Sequence, residues 1–154
     1  MNPNELGTWI GDWTWGLPLI VLTVVIHVGG LALIRERVAD ALSAPVDHGS
    51  FIFKFAVVMS GTSLLVTLLH GLEAGIWAAA YRVLNALPDN RSAMLYSLSA
   101  ITTYGHAPLF LKDEWQLMGA LEALNGMLLF GLSTAFLFAM IQSVWPVGGE
   151  KRNR

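Results

Sequence analysis

The chain has 154 residues, of which 55% are apolar and only 13% are charged, against about 25% charged in an average soluble domain. Nine Lys and Arg against eleven Asp and Glu give a formal charge of -2, so no basic surplus exists to neutralise a phosphate backbone, and nucleic acid is excluded as a partner. The absence of Cys removes disulfides, thiolate metal ligands and a Cys nucleophile. What remains is an all-α membrane protein whose first partner is the lipid bilayer.

Residues 1–16 carry Trp9, Trp13 and Trp15 and read as an interfacial segment on the outer surface, with Glu5 and Asp12 in place of the cationic start of a cleaved signal peptide. From Trp13 to Ile34 there follow 22 residues without a charge, from Phe55 to Leu72 there are 18, and from Ala123 to Gly149 there are 27. A bilayer core takes about 20 helical residues. These runs predict transmembrane helices over 17–37, 51–86 and 115–144, with 145–154 as a terminal tail. Lys54 and Glu73 bound the shortest run, where long side chains reach the head groups. All six Trp fall near the ends of these spans, as an aromatic belt would place them.

A fourth uncharged run, Ser92 to Leu111, is 20 residues long but is not read as a span. Three Ser and two Thr occupy its first twelve residues, and Tyr104-Gly105-His106 and Pro108 interrupt the rest. It predicts a short helix over about 91–102 that enters partway and returns as irregular chain. Such backbone persists at membrane depth only inside protein or against a water-filled cavity. Asp89 or Ser92 would cap its outer end. With three spans, Arg35, Arg37, Lys54, Lys151, Arg152 and Arg154 share one side and Arg82, Arg91 and Lys112 the other. Four spans would divide the cations almost evenly. The asymmetry predicts three spans in the plasma membrane, with the N-terminus outside and the C-terminus in the cytoplasm.

The order of these parts resembles the pore module of the potassium-channel superfamily. A helix, the turn Pro88-Asp89-Asn90, a short helix ending in Ser99-Ala100-Ile101-Thr102-Thr103, then Tyr104-Gly105 and a Gly-containing helix cover residues 51–144, with the pore helix and filter over 90–107. The family filter, T-V-G-Y-G-D, replaces the ion's water shell with backbone carbonyls from four copies around one axis. The resemblance implies a homotetrameric channel for monovalent cations, K+ or Na+, with Thr102, Thr103, Tyr104 and Gly105 as the filter. The Val-Gly step is missing and His106 stands where the family has Asp. Fewer carbonyl rings imply a selectivity different from the family's, and His106 would ring the outer mouth with imidazoles that turn cationic near pH 6.5 or below. The competing reading is a non-conducting accessory or structural subunit of a larger membrane complex.

The remaining intramembrane polar groups are candidates by position. Glu73, three residues after His70 on one helix face, and Glu122, early in the third span, would support the filter by accepting hydrogen bonds from it. His70 and Glu73 have metal-ligand spacing but no visible third ligand, and no metal is assigned. His27 and His70 could be imagined as axial haem ligands, although an interhelical hydrogen bond is the simpler use. Gly126 and Gly131 would let the third span flex. Neither a nucleophile-base pair nor a phosphate-binding loop occurs, so neither an enzyme activity nor a cofactor is expected.

Overall fold

The computed structural model describes residues 3–43, 48–105 and 108–144. In chain order they form α1 (Pro3–Ser43), α2 (His48–Val83), α3 (Asn90–Ile101), one 3-10 turn (Asp113–Trp115) and α4 (Gln116–Val144). Three of these helices, α1, α2 and α4, are long and apolar enough to cross a membrane. At 1.5 Å per residue they extend about 60, 54 and 43 Å, each longer than the roughly 30 Å hydrocarbon core.

Residues 3–16 are not a separate segment in the backbone: they continue without a break into the first predicted span and through Pro18, which lacks the N–H that the helix would otherwise use there. The second span ends at Val83 instead of 86. Asn85 takes the left-handed conformation at φ 53°, and the N–H groups of Asn85 and Ala86 turn back to the carbonyls of Arg82 (3.1 Å) and Tyr81 (2.9 Å). This is the Schellman closure, with Asn in the position usually held by Gly. Arg82 then spans the turn, donating to the Leu87 carbonyl at 2.6 Å and to Asn90 Oδ1 at 2.9 Å.

α1 and α3 each pack against both α2 and α4. Gly30 meets Leu69 and His27 meets Glu73, so α1 and α2 run antiparallel. Gly16 meets Leu121, Thr23 meets Asn125 and His27 meets Ser133, so α1 and α4 run parallel. α2 and α4 therefore run in opposite directions, and the end of α2 and the start of α4 lie at the same end of the bundle. α3, about 18 Å long, is too short to cross.

Each long helix buries one stripe. On α1 it comprises Asp12, Gly16, Leu19, Thr23, His27, Leu31 and Val38, the three-and-four spacing of one helical face. Lipid tails are as apolar as Leu, so close packing and interhelical hydrogen bonds must hold such stripes together. The apolar cluster around Trp77, Tyr81, Leu87, Leu111, Met118 and Leu121 closes the end of the bundle that carries α3. Trp77 departs from the expected belt: it is fully buried in this cluster, whereas Trp9, Trp13 and Trp15 are exposed. Trp145 lies outside the described residues.

Candidate functional site: a short helix backed by two buried polar centres

α3 is built to stop at both ends. At its start Asp89 has extended backbone and receives the Ser92 N–H at 2.9 Å and the Ser92 hydroxyl at 2.7 Å. These two donors hold the Asp89 carboxyl below its ordinary pKa. At its end a second Schellman closure forms: the Thr103 N–H reaches the Ala100 carbonyl and the Tyr104 N–H the Ser99 carbonyl, both at 2.9 Å. The pivot residue is Thr103, at φ 56°. A β-branched residue is an outlier in that conformation.

Thr102, Thr103, Tyr104 and Gly105 follow in single file and are all exposed. The φ values are positive at Thr103 and again at Gly105 (65°), with Tyr104 between them on the negative side. The N–H groups of all four turn back toward carbonyls of Leu98, Ser99 and Ala100. The carbonyl oxygens of Thr102 and Thr103 accept no hydrogen bond among the described residues. Gly105 takes the left-handed conformation freely, and Thr103 takes it at a steric cost. His106 lies outside the described residues. Two hollows flank α3: one of about 670 Å3 lined by Leu95, Leu98, Thr102 and Pro108, and one of about 420 Å3 lined by Ala100, Thr103, Gly105 and Phe110.

Behind α3 lies the first polar centre. Glu122 on α4 receives the Tyr81 hydroxyl at 2.6 Å and contacts the Ser97 hydroxyl, which also reaches the Ala74 carbonyl at 2.7 Å. Three helices thus meet on one carboxylate, and the short helix is pinned through its buried Ser97. Gly126, one helical turn further along α4, backs onto Ile101: a Cβ there would collide with the Ile101 carbonyl. Gly119 likewise receives the ring of Tyr96. Gly131 has nothing within 4 Å, so the two glycines paired in the sequence analysis occupy different surroundings.

The second centre lies deeper and involves α1, α2 and α4. His27 Nδ1 is 2.8 Å from Glu73 Oε1, and His70 Nδ1 is 3.3 Å from Glu73 Oε2. The Nε2 atoms of both imidazoles lie 3.0 Å from the Ser133 hydroxyl. Phe130 stacks on His70 with ring centroids 4.3 Å apart. One turn away Asn125 donates to the Thr23 hydroxyl at 2.8 Å. Glu73 hydrogen-bonds to α1 and His70 to α4, and the two face each other in a 3.3 Å ion-pair contact; of the expected supports, Glu122 alone touches the short helix. The haem reading fails on geometry, because the two imidazole centroids are 5.0 Å apart and share one hydroxyl, leaving no room for a macrocycle.

Thr23, Tyr81, Ser97, Asn125 and Ser133 were missed as members of these centres. The available signal was periodic: Thr23 lies four residues before His27, and Asn125 eight before Ser133, each pair on one face of an otherwise apolar run. No family model, curated protein or solved structure matches the chain.

Proposed function

We propose that the protein is a homotetrameric channel for monovalent cations, in which α3 is a re-entrant pore helix, Thr102–Gly105 form a shortened filter and α4 lines the central cavity. One observation carries this reading. At the exposed C-terminal end of α3, the N–H groups of 102–105 turn back to the helix, handedness alternates at 103, 104 and 105, and the Thr102 and Thr103 carbonyls stay available. Alternating handedness lets successive carbonyls face one way, which is what a cation stripped of water requires. The negative end of the α3 dipole lies at the same place and favours positive charge. Thr103 endures an unfavourable backbone conformation there, and strain of that kind collects at functional sites.

One copy cannot surround an ion. The hollows beside α3 and the exposed side chains of Leu95, Leu98 and Phe110 are surfaces that three further copies would cover. Parallel α1 and α4 agree with three spans, an outside N-terminus and a cytoplasmic C-terminus in the plasma membrane, and the wider cation count at 35–54 and 151–154 agrees with that orientation.

Single-channel recording of purified protein in planar bilayers tests the reading. Cation-selective unitary currents are expected, abolished by Gly105→Ala because the added methyl opposes the left-handed backbone at 105. Thr103→Ser should change the sodium-to-potassium permeability ratio. Undiminished currents in Gly105→Ala would overturn the filter assignment. A detergent-purified monomer without current would favour the accessory-subunit reading.

A further inference from the structure

The second polar centre holds two imidazoles and one carboxylate from two helices, all buried, with one ligating atom of each within 4.8 Å of the others. Its bonding is incomplete. His70 Nδ1 and Glu73 Oε2 are both buried and face each other at 3.3 Å, yet neither makes a hydrogen bond among the described residues. Two strong polar atoms left in this state inside apolar surroundings are costly. A proton can serve the His27–Glu73 contact, but a single bridging group at the centre would serve all three side chains.

We propose that His27, His70 and Glu73 form a binding site for a divalent transition-metal ion of the Zn2+ class, which clamps α1 to α2 inside the bundle. Two nitrogen donors and one carboxylate oxygen suit such borderline cations; alkali and alkaline-earth ions prefer oxygen sets. Zinc bonds of 2.0–2.2 Å at tetrahedral angles put neighbouring donors about 3.4 Å apart; here His27 Nδ1 lies 2.8 Å from one Glu73 oxygen, His70 Nδ1 lies 3.3 Å from the other, and one ligating atom of each residue lies within 4.8 Å of the rest. An ion would draw the three donors together until each pair reached that spacing.

Ser133 supplies the outer support. Metal-bound imidazoles need a partner on the far nitrogen to fix tautomer and ring orientation, and here both Nε2 atoms meet the one Ser133 hydroxyl at 3.0 Å. A hydroxyl oxygen has two lone pairs and can accept both N–H groups at once. That leaves both Nδ1 atoms unprotonated on the side of Glu73, the state a metal requires. Phe130 covers His70 from outside and keeps bulk water from competing. The fourth coordination position would be filled by a water or hydroxide, which would also reduce the positive charge held in the apolar interior.

The site does not depend on conduction, and its test needs none. Untagged full-length protein in detergent, stripped with chelator, is titrated with Co2+ alone, whose visible ligand-field absorption distinguishes a low-coordinate nitrogen and oxygen site from the aquo ion. The expected result is a band that saturates at one ion per chain and is bleached by Zn2+. His27→Gln and Glu73→Gln should abolish it while circular dichroism stays helical, and Ser133→Ala, which keeps every ligand, should weaken binding about 10–100-fold. Should the ligand variants not fold, wild type against Ser133→Ala decides, and equal affinities overturn the proposal. An aquo-like spectrum in wild type, or a band that survives in His27→Gln, also overturns it.

Discussion

Gly126 and Gly131 look alike in the sequence, and replacing each by Ala separates packing from flexibility. At Gly126 the new Cβ would meet the Ile101 carbonyl oxygen, with the carbonyl carbon at 2.7 Å and Cα at 2.9 Å. All three are backbone atoms at the end of α3, where the chain is fixed by the closure onto Ser99 and Ala100. No rotamer change relieves the contact, so α3 and α4 must part by about 1 Å to restore a normal carbon contact near 3.7 Å. Overpacking of this kind costs about 1–3 kcal/mol, partly offset by the roughly 0.5–1 kcal/mol by which Ala exceeds Gly in a helix. The expected net loss is about 1–2 kcal/mol, or roughly 2–8 °C in Tm for a chain of this size. Gly131 has nothing within 4 Å, so Gly131→Ala retains only the helix gain and should melt a degree or more above wild type. Thermal unfolding followed by circular dichroism in one detergent compares all three proteins. A Gly126→Ala protein that melts at or above wild type would refute the assignment of Gly126 to close packing.

Thr103→Gly should raise stability by about 0.5–1 kcal/mol, the left-handed penalty of about 1–2 kcal/mol less the greater backbone entropy that Gly loses; a lower melting temperature would show that the Thr side chain stabilises the turn. The lowered pKa of Asp89 means that its cap is fully present above the ordinary carboxyl value, about 3.9, and is lost as pH falls through the depressed folded value. Asp89→Asn keeps an acceptor at the cap, so its melting temperature should fall less than that of wild type as pH drops below about 3.9; identical slopes would exclude Asp89 as the acid-labile cap. Tyr81→Phe leaves a buried Glu122 oxygen without its 2.6 Å donor and should cost about 1–3 kcal/mol. In a cycle with Glu122→Gln the two losses should couple by at least about 0.5 kcal/mol, and strict additivity would disprove the bond.

The three long helices were legible because each contains a long uncharged run, bounded by Asp12 and Arg35, by Lys54 and Glu73, and on its N-terminal side by Glu122, although α1 and α2 continue for about two to three turns beyond these marks. The short helix was legible for a different reason, since Asp89 and Ser92 sit at N-cap spacing and the Ser and Thr content of 92–103 argues against a full span. The exact stop of α2 was missed because the signal is one Asn, whose left-handed tolerance is ordinary in a turn and silent in a helix until the turn is known. The buried centres were only half legible. His70 and Glu73 are neighbours on one helix, but His27 is 46 residues from Glu73, and Ser133 is 106 residues from His27. Bringing them together requires the depth register of three helices, and uniformly apolar runs carry little information about register.

That register changes what α1 is for. An added span attached to a two-helix pore module would be expected to turn an apolar face to its neighbours and contribute little else. Here α1 places Thr23 and His27 against Asn125, Ser133 and Glu73, and it packs on α2 and α4. The two polar centres consequently divide the labour by helix. Glu122, Tyr81 and Ser97 tie the short helix to its flanking spans, whereas His27, Glu73 and Ser133 tie those same spans to α1. A buried carboxylate and a buried amide stripped of their α1 partners would face hydrocarbon, where unsatisfied polar groups are costly. The two spans that flank α3 are thus themselves tied to α1, α2 through the His27–Glu73 contact and α4 through the His27–Ser133 and Thr23–Asn125 contacts.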